Sequence, residues 1–210
     1  MFAQILGADT LDSFFAGSRV AAVDEAVGRA VEMVARGAEI IDLGGESTRP
    51  GAAPVDEADE LERVLSVVDG LASAGAIVSI DTMKPGVAAA AIEAGARIVN
   101  DVGGLSDAAM RRVVAESGAG VVIMHMQGEP RTMQQNPRYV DVVSEVRNFL
   151  LERAEVCERA GIARSRILLD PGFGFGKRLE HNTALLKNID RLAGEGYPPG
   201  GRRAIQNPGP

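Results

Sequence analysis

One pattern narrows the folds open to this chain: a short apolar run followed by a helical stretch recurs six times, with a polar cluster after five of the runs and a glycine after five of the helical stretches. The apolar runs predict strands at Gln4–Ala8, Glu39–Leu43, Ile77–Asp81, Arg97–Asp101, Gly120–Met124 and Arg166–Asp170. Helical periodicity fills the gaps at Val23–Arg36, Glu57–Ala74, Gly86–Ala94, Ala108–Glu116, Val140–Ala160 and Asn182–Leu192. Gly37, Gly75, Gly95, Gly118 and Gly161 each fall just after a helical stretch, where a left-handed cap is expected. Apolar strands alternating with helices predict a parallel sheet with helices outside it. The polar clusters all follow strands, so in a barrel they share the rim that carries catalysis. No Gly-x-Gly-x-x-Gly follows the first strand, which argues against a dinucleotide-binding fold. The expected fold is α/β, a TIM-type (β/α)8 barrel with only about six β-α units present. Its barrel domain covers residues 1–193, and a Gly/Pro-rich irregular tail covers 194–210. With units missing, open edges are expected on the first and last strands.

A length of 210 residues, 46% of them hydrophobic and 24% charged, suits one globular domain. The net charge of −7 argues against a nucleic-acid or anionic-membrane binder, while leaving room for a local anion site. Cys157 is the single cysteine, so no intrachain disulfide forms, which fits a reducing cytoplasm. Neither a signal peptide nor an apolar run of membrane-spanning length is read from the residues.

The sixth strand runs into Asp170-Pro171-Gly172-Phe173-Gly174-Phe175-Gly176-Lys177. Proline stops the ladder, and the glycines permit close backbone approach. Asp81, Asn100 and Asp170, each at a strand end, form a set of acceptors and one amide. A 2-amino-4-oxo heterocycle presents adjacent N–H donors and a carbonyl, which carboxylates and an amide can match. Met124, Phe173 and Phe175 offer apolar walls. After the second strand, Arg49 offers a planar fork for a carboxylate or phosphate and Thr48 a hydroxyl. Glu46 is expected to bond within its loop rather than to ligand. His125 reads as a hydrogen-bonded structural histidine, His181 as a surface or capping residue, and Lys177 as a solvated loop lysine. No His/Cys cluster has zinc spacing, and neither a Ser-His-Asp order nor a Walker loop is present.

These residues resemble the dihydropteroate synthase family of folate biosynthesis. Four blocks carry the resemblance: Ile41 through Ala52 (Ile-Asp-Leu-Gly-Gly-Glu-Ser-Thr-Arg-Pro-Gly-Ala), Ser79-Ile80-Asp81-Thr82, Val99-Asn100-Asp101-Val102, and Asp170 through Lys177. A fifth, Met124-His125-Met126-Gln127-Gly128 with Pro130-Arg131-Thr132-Met133-Gln134, accompanies them. The resemblance implies a transferase that condenses 7,8-dihydropterin-6-ylmethyl diphosphate with 4-aminobenzoate to give dihydropteroate and diphosphate. By motif, Asp81, Asn100, Asp170 and Met124 bind pterin. Thr48 lies on the diphosphate side, with Arg49, Pro50 and Phe175 near aminobenzoate. No residue is assigned as nucleophile or general base. The resemblance also implies magnesium, a homodimer, a cytoplasmic location, and neither nucleic acid nor membrane as partner.

The resemblance weakens at both ends. Ile5 through Gly17 is a worn version of the family's first loop, and the asparagine linked to magnesium corresponds to Gly7, which has no side chain to coordinate metal. Beyond Gly196-Tyr197-Pro198, the family's Ser-Arg-Lys strand and Arg-x-His motif have no counterpart. The expectation is therefore a truncated member, with two alternatives: a catalytically impaired or inactive homologue that retains pterin binding, and a pterin-binding methyltransferase domain.

Overall fold

In the computed structural model the described residues are 2–6, 16–48, 52–192 and 197. Six strands alternate with helices in the order of a (β/α) barrel. They are β1 (Phe2–Leu6), β2 (Ile40–Gly44), β3 (Val78–Asp81), β4 (Ile98–Asp101), β5 (Gly120–Met124) and β6 (Ile167–Asp170). The helices are α1 (Ala16–Ala35), α2 (Glu57–Ser73), α3 (Pro85–Glu93), α4 (Ala108–Ser117), α5 (Val142–Arg159), α6 (Leu179–Lys187) and α7 (Ile189–Leu192). Every expected strand and helix is present, with ends displaced by a few residues. The expected Asn182–Leu192 helix begins earlier and is interrupted at Asn188. All five expected glycine caps have positive φ.

The chain divides into two compact units, residues 1–47 with 53–100, and residues 48–52 with 101–210. In the first, β1, β2 and β3 pair in parallel, and β4 continues the sheet beside β3. The strands β2 and β3 are buried along almost their whole length, as apolar strands covered on both faces should be. The buried positions of α2 are Glu60, Val64, Val67, Val68 and Leu71, one stripe at helical spacing. The register sets Gly44 opposite Asp81 and Asp81 opposite Asn100, so these strand ends are level.

In the second unit β5 and β6 pair in parallel, with Met124 opposite Asp170. The core of this unit includes Leu105, Met110, Val121, Ile123, Val146, Leu150, Ile167 and Leu185. The buried face of α5 ends at Cys157, a fully buried free thiol pushed up to about 11 by burial. Tyr197 is fixed there too. Its hydroxyl donates to Glu158 Oε1 (2.9 Å) and its ring lies under the Arg164 guanidinium. The rest of the expected tail lies outside the described residues.

Candidate functional site

In the first unit the site residues are built on the ends of β2, β3 and β4. The Asn100 side-chain amide donates to Asp42 Oδ2 (3.1 Å), which turns its Oδ1 the other way. That Oδ1 is buried and has no hydrogen-bond partner among the described residues. A buried carbonyl oxygen without a donor is costly, so it is an acceptor waiting for one. Asp81 is buried directly beside it in register.

The loop after β2 is held from below. Glu46 and Glu60 both take hydrogen bonds from Lys84 Nζ, the second at 2.5 Å. Glu60 is fully buried. Burial pulls the Lys84 ammonium down, but the two carboxylates outweigh it and leave its pKa raised. Arg63 donates to the Gly45 carbonyl (3.1 Å). A Cβ on Gly45 would lie 2.8 Å from both Glu60 Cγ and Val64 Cγ1, so only glycine lets α2 press this close. Glu46 thus bonds to Lys84 in the loop after β3. Thr48 is half-buried, and Arg49, Pro50 and Gly7 lie outside the described residues.

In the second unit Met124 is buried at the end of β5, and Asp170 ends β6. Asp170 Oδ1 accepts from the Gly172 N–H (2.8 Å). Burial raises its pKa, against the Gly172 hydrogen bond and the Lys177 charge. Phe173 and Phe175 are half-buried.

The expectation for Lys177 is overturned. It is 3% exposed, with Nζ 2.9 Å from His125 Nδ1, 3.1 Å from the His125 carbonyl, and 2.9 Å from the carbonyls of Gly172 and Phe175. Three flanking glycines let the loop coil around the ammonium, which spacing alone does not reveal. Burial lowers Lys177 to about 7. His125 is also buried, its ring edge-on to Phe149 at 4.9 Å. Burial, then the Lys177 charge, lowers it to about 4, so it is neutral near pH 7. It is the structural histidine expected. His181 Nδ1 accepts from the Arg178 N–H (3.1 Å) at the start of α6, also as expected.

Asp101, just past Asn100, was not singled out from the sequence. Its carboxylate accepts from the N–H groups of Gly103 (2.7 Å) and Leu105 (3.1 Å), and Leu105 is the one non-glycine residue with positive φ among the described residues. Asp42 and Lys84 were missed as well. Their partners lie 58 and 38 residues away, beyond the reach of any local motif.

A family model described as pterin binding enzyme matches residues 9–199. The dihydropteroate synthase of Escherichia coli (strain K12) is 48% identical over 181 residues, 86% of this chain and 64% of that protein. The chain thus spans slightly less than two thirds of that relative's length. The dihydropteroate synthase of Mycobacterium leprae (strain TN) is 46% identical over 191 residues, 90% of this chain and 67% of that protein. Among solved structures, dihydropteroate synthase from Thermus thermophilus in complex with 4-aminobenzoate matches with a TM-score of 0.81 and 44% identity, over 94% of this chain and 70% of that one. Burkholderia cenocepacia dihydropteroate synthase complexed with 7,8-dihydropteroate matches with a TM-score of 0.77 and 42% identity, over 91% and 64%.

Proposed function

The chain belongs to the pterin binding enzyme family, and from that premise we propose that it acts as a dihydropteroate synthase. It joins 7,8-dihydropterin-6-ylmethyl diphosphate to 4-aminobenzoate. The aromatic amine forms a bond to the pterin methylene as the bond from that carbon to the diphosphate oxygen breaks. The electron pair leaves with diphosphate, and the new secondary amine releases one proton. No protein nucleophile is needed, so the residues bind, orient and stabilise charge.

Asn100 carries the proposal. Its Oδ1 is a buried acceptor with no donor among the described residues, held in place through Asp42 and level with Asp81. That is what an edge of adjacent pterin N–H groups requires. Asp81, Asn100 and Asp170 take the polar edge of the pterin, with Met124 against its face. Thr48 serves the diphosphate side. Arg49, Pro50 and Phe175 serve aminobenzoate, and Arg49 supplies the fork for its carboxylate. The bound 4-aminobenzoate and 7,8-dihydropteroate of the two solved relatives support the choice of substrates.

The resemblance implies magnesium, which would stabilise the departing diphosphate. Among the described residues no group of three or more His, Cys, Asp or Glu side chains is placed to hold a metal ion, and the loop of Gly7 lies outside them. Among the described residues no helix is long and apolar enough to cross a membrane, and the free thiol of Cys157 is buried. The family resemblance supports a cytoplasmic location and a homodimer.

Isothermal calorimetry with the pterin diphosphate tests the proposal, with circular dichroism to confirm folding. Saturable binding that Asn100→Ala and Asp170→Ala abolish, followed by diphosphate release that depends on 4-aminobenzoate, is the expected result. A folded chain that binds no pterin would overturn it.

A further inference from the structure

We propose that Lys177 is a positioning residue whose buried ammonium ties the loop 171–177 to the backbone at His125 and so sets Asp170 and Phe175 for ligand. The consequence for ligand rests on the pterin-binding reading above; the tether itself does not.

The loop has little backbone pairing of its own. Within it, the Phe175 N–H donates to the Gly172 carbonyl (3.1 Å). Two of its carbonyls are held by side chains from elsewhere in the unit. Tyr139 donates its hydroxyl to Gly176 (2.8 Å), and the Gln134 amide donates to Gly174. Lys177 takes the carbonyls of Gly172 and Phe175, and with the same nitrogen reaches across to the carbonyl and ring of His125. Beside these contacts, it is the charged group that joins the Gly172 and Phe175 carbonyls to one another and to His125.

The fit around that link is tight. Gly172 and Gly176 have φ of +64° and +61°. A Cβ on Gly172 would run into the His125 carbonyl oxygen, and one on Gly176 would lie 2.9 Å from Gln127 N. At these two glycines the segments are therefore packed against backbone atoms of His125 and Gln127. The ammonium holds that approach from the other side of the loop through its bonds to His125. It has three hydrogens facing four acceptors, so none is left for a ligand anion. With the lysine charged, it only donates, so His125 Nδ1 accepts, which selects the neutral imidazole with its proton on Nε2. Asp170 and Phe175 sit at the two ends of this arrangement. Asp170 Oδ1 takes the Gly172 N–H, and the Phe175 carbonyl takes Lys177.

Two experiments test it. In the unaltered protein, reductive methylation should modify exposed Lys187 and leave Lys177 unreacted while the fold persists; equal rates at the two lysines would overturn the tether without any variant. In Lys177→Met, which keeps the length and removes the donors, amide exchange at Gly172 and Phe175 should speed up by about tenfold or more while α5 stays protected. Unchanged exchange would refute the tether. Under conditions where both proteins are fully folded, the dissociation constant for the pterin diphosphate should rise by about tenfold to a hundredfold. In turnover, KM should rise with kcat held within about twofold. An unchanged dissociation constant alongside faster exchange would refute the positioning role. Absence of pterin binding in the unaltered protein would refute the functional reading, and the methylation and exchange results would still decide the tether.

Discussion

Replacing Gly172 with alanine is the sharpest test of how the loop after β6 is built. Two costs add. First, a non-glycine residue at φ +64° costs roughly 1–2 kcal/mol. Second, the new Cβ would collide with the His125 carbonyl oxygen, with Met124 Cγ at 3.1 Å on another side. The His125 carbonyl is held by Lys177 (3.1 Å) and its N–H is bonded to the Asp170 carbonyl at 3.0 Å, so moving it away costs those bonds. The loop must therefore retreat by about 1 Å to reach ordinary contact distance. That stretches the hydrogen bond from Gly172 to Asp170 (2.8 Å) and the one from Lys177 to Gly172 (2.9 Å). Each involves a charged group and contributes roughly 1.5–3 kcal/mol. The expected loss is about 4 kcal/mol or more. Gly174 provides the control. Its φ is +82°, but nothing lies within 4 Å of an added Cβ, so alanine there incurs only the conformational cost of roughly 1–2 kcal/mol. Urea unfolding of both variants gives the comparison, provided the m-values agree. A difference below about 1 kcal/mol between them would show that the loop yields without strain and that the packing argument is wrong.

Two further outcomes follow from the buried charges. Lys84→Met leaves the fully buried Glu60 without its cation, and its Oε1 already has no hydrogen-bond partner among the described residues; the expected loss is about 3–5 kcal/mol by urea unfolding, and a neutral result would refute the structural role of this ion pair. Burial raises Asp101 to about 6, so the folded protein binds its proton more tightly than the unfolded chain does. The stability this adds is complete below about pH 4 and is lost as pH rises through about 6. Relative to Asp101→Asn, the native protein should therefore lose about 3 kcal/mol between pH 4 and 7; parallel stability profiles would refute the shift.

The strands, helices and their glycine caps were readable because each depends on interactions within a few residues. An apolar run bounded by turn residues is a strand wherever it is buried, and a glycine after a helical stretch takes up a conformation that other residues avoid. The strand-end positions were readable for a related reason. In a parallel sheet of repeated β-α units, the strand ends fall on one side, so Asp81, Asn100, Met124 and Asp170 could be picked out as strand-end residues before any coordinates. Nothing in the spacing indicated what would hold those residues in place. The Asn100 amide is oriented by Asp42, and the Glu46 loop by Lys84, through contacts spanning 58 and 38 residues of chain. Lys177 is the clearest case. A lysine beside glycines at the end of a loop is ordinarily solvated, because burying an ammonium is costly unless several acceptors surround it. Here the surrounding acceptors are backbone carbonyls and a histidine ring brought in from the neighbouring strand, 52 residues earlier. Backbone carbonyls are the same in every residue and leave no mark in the sequence, so only folding could determine that this lysine points inward.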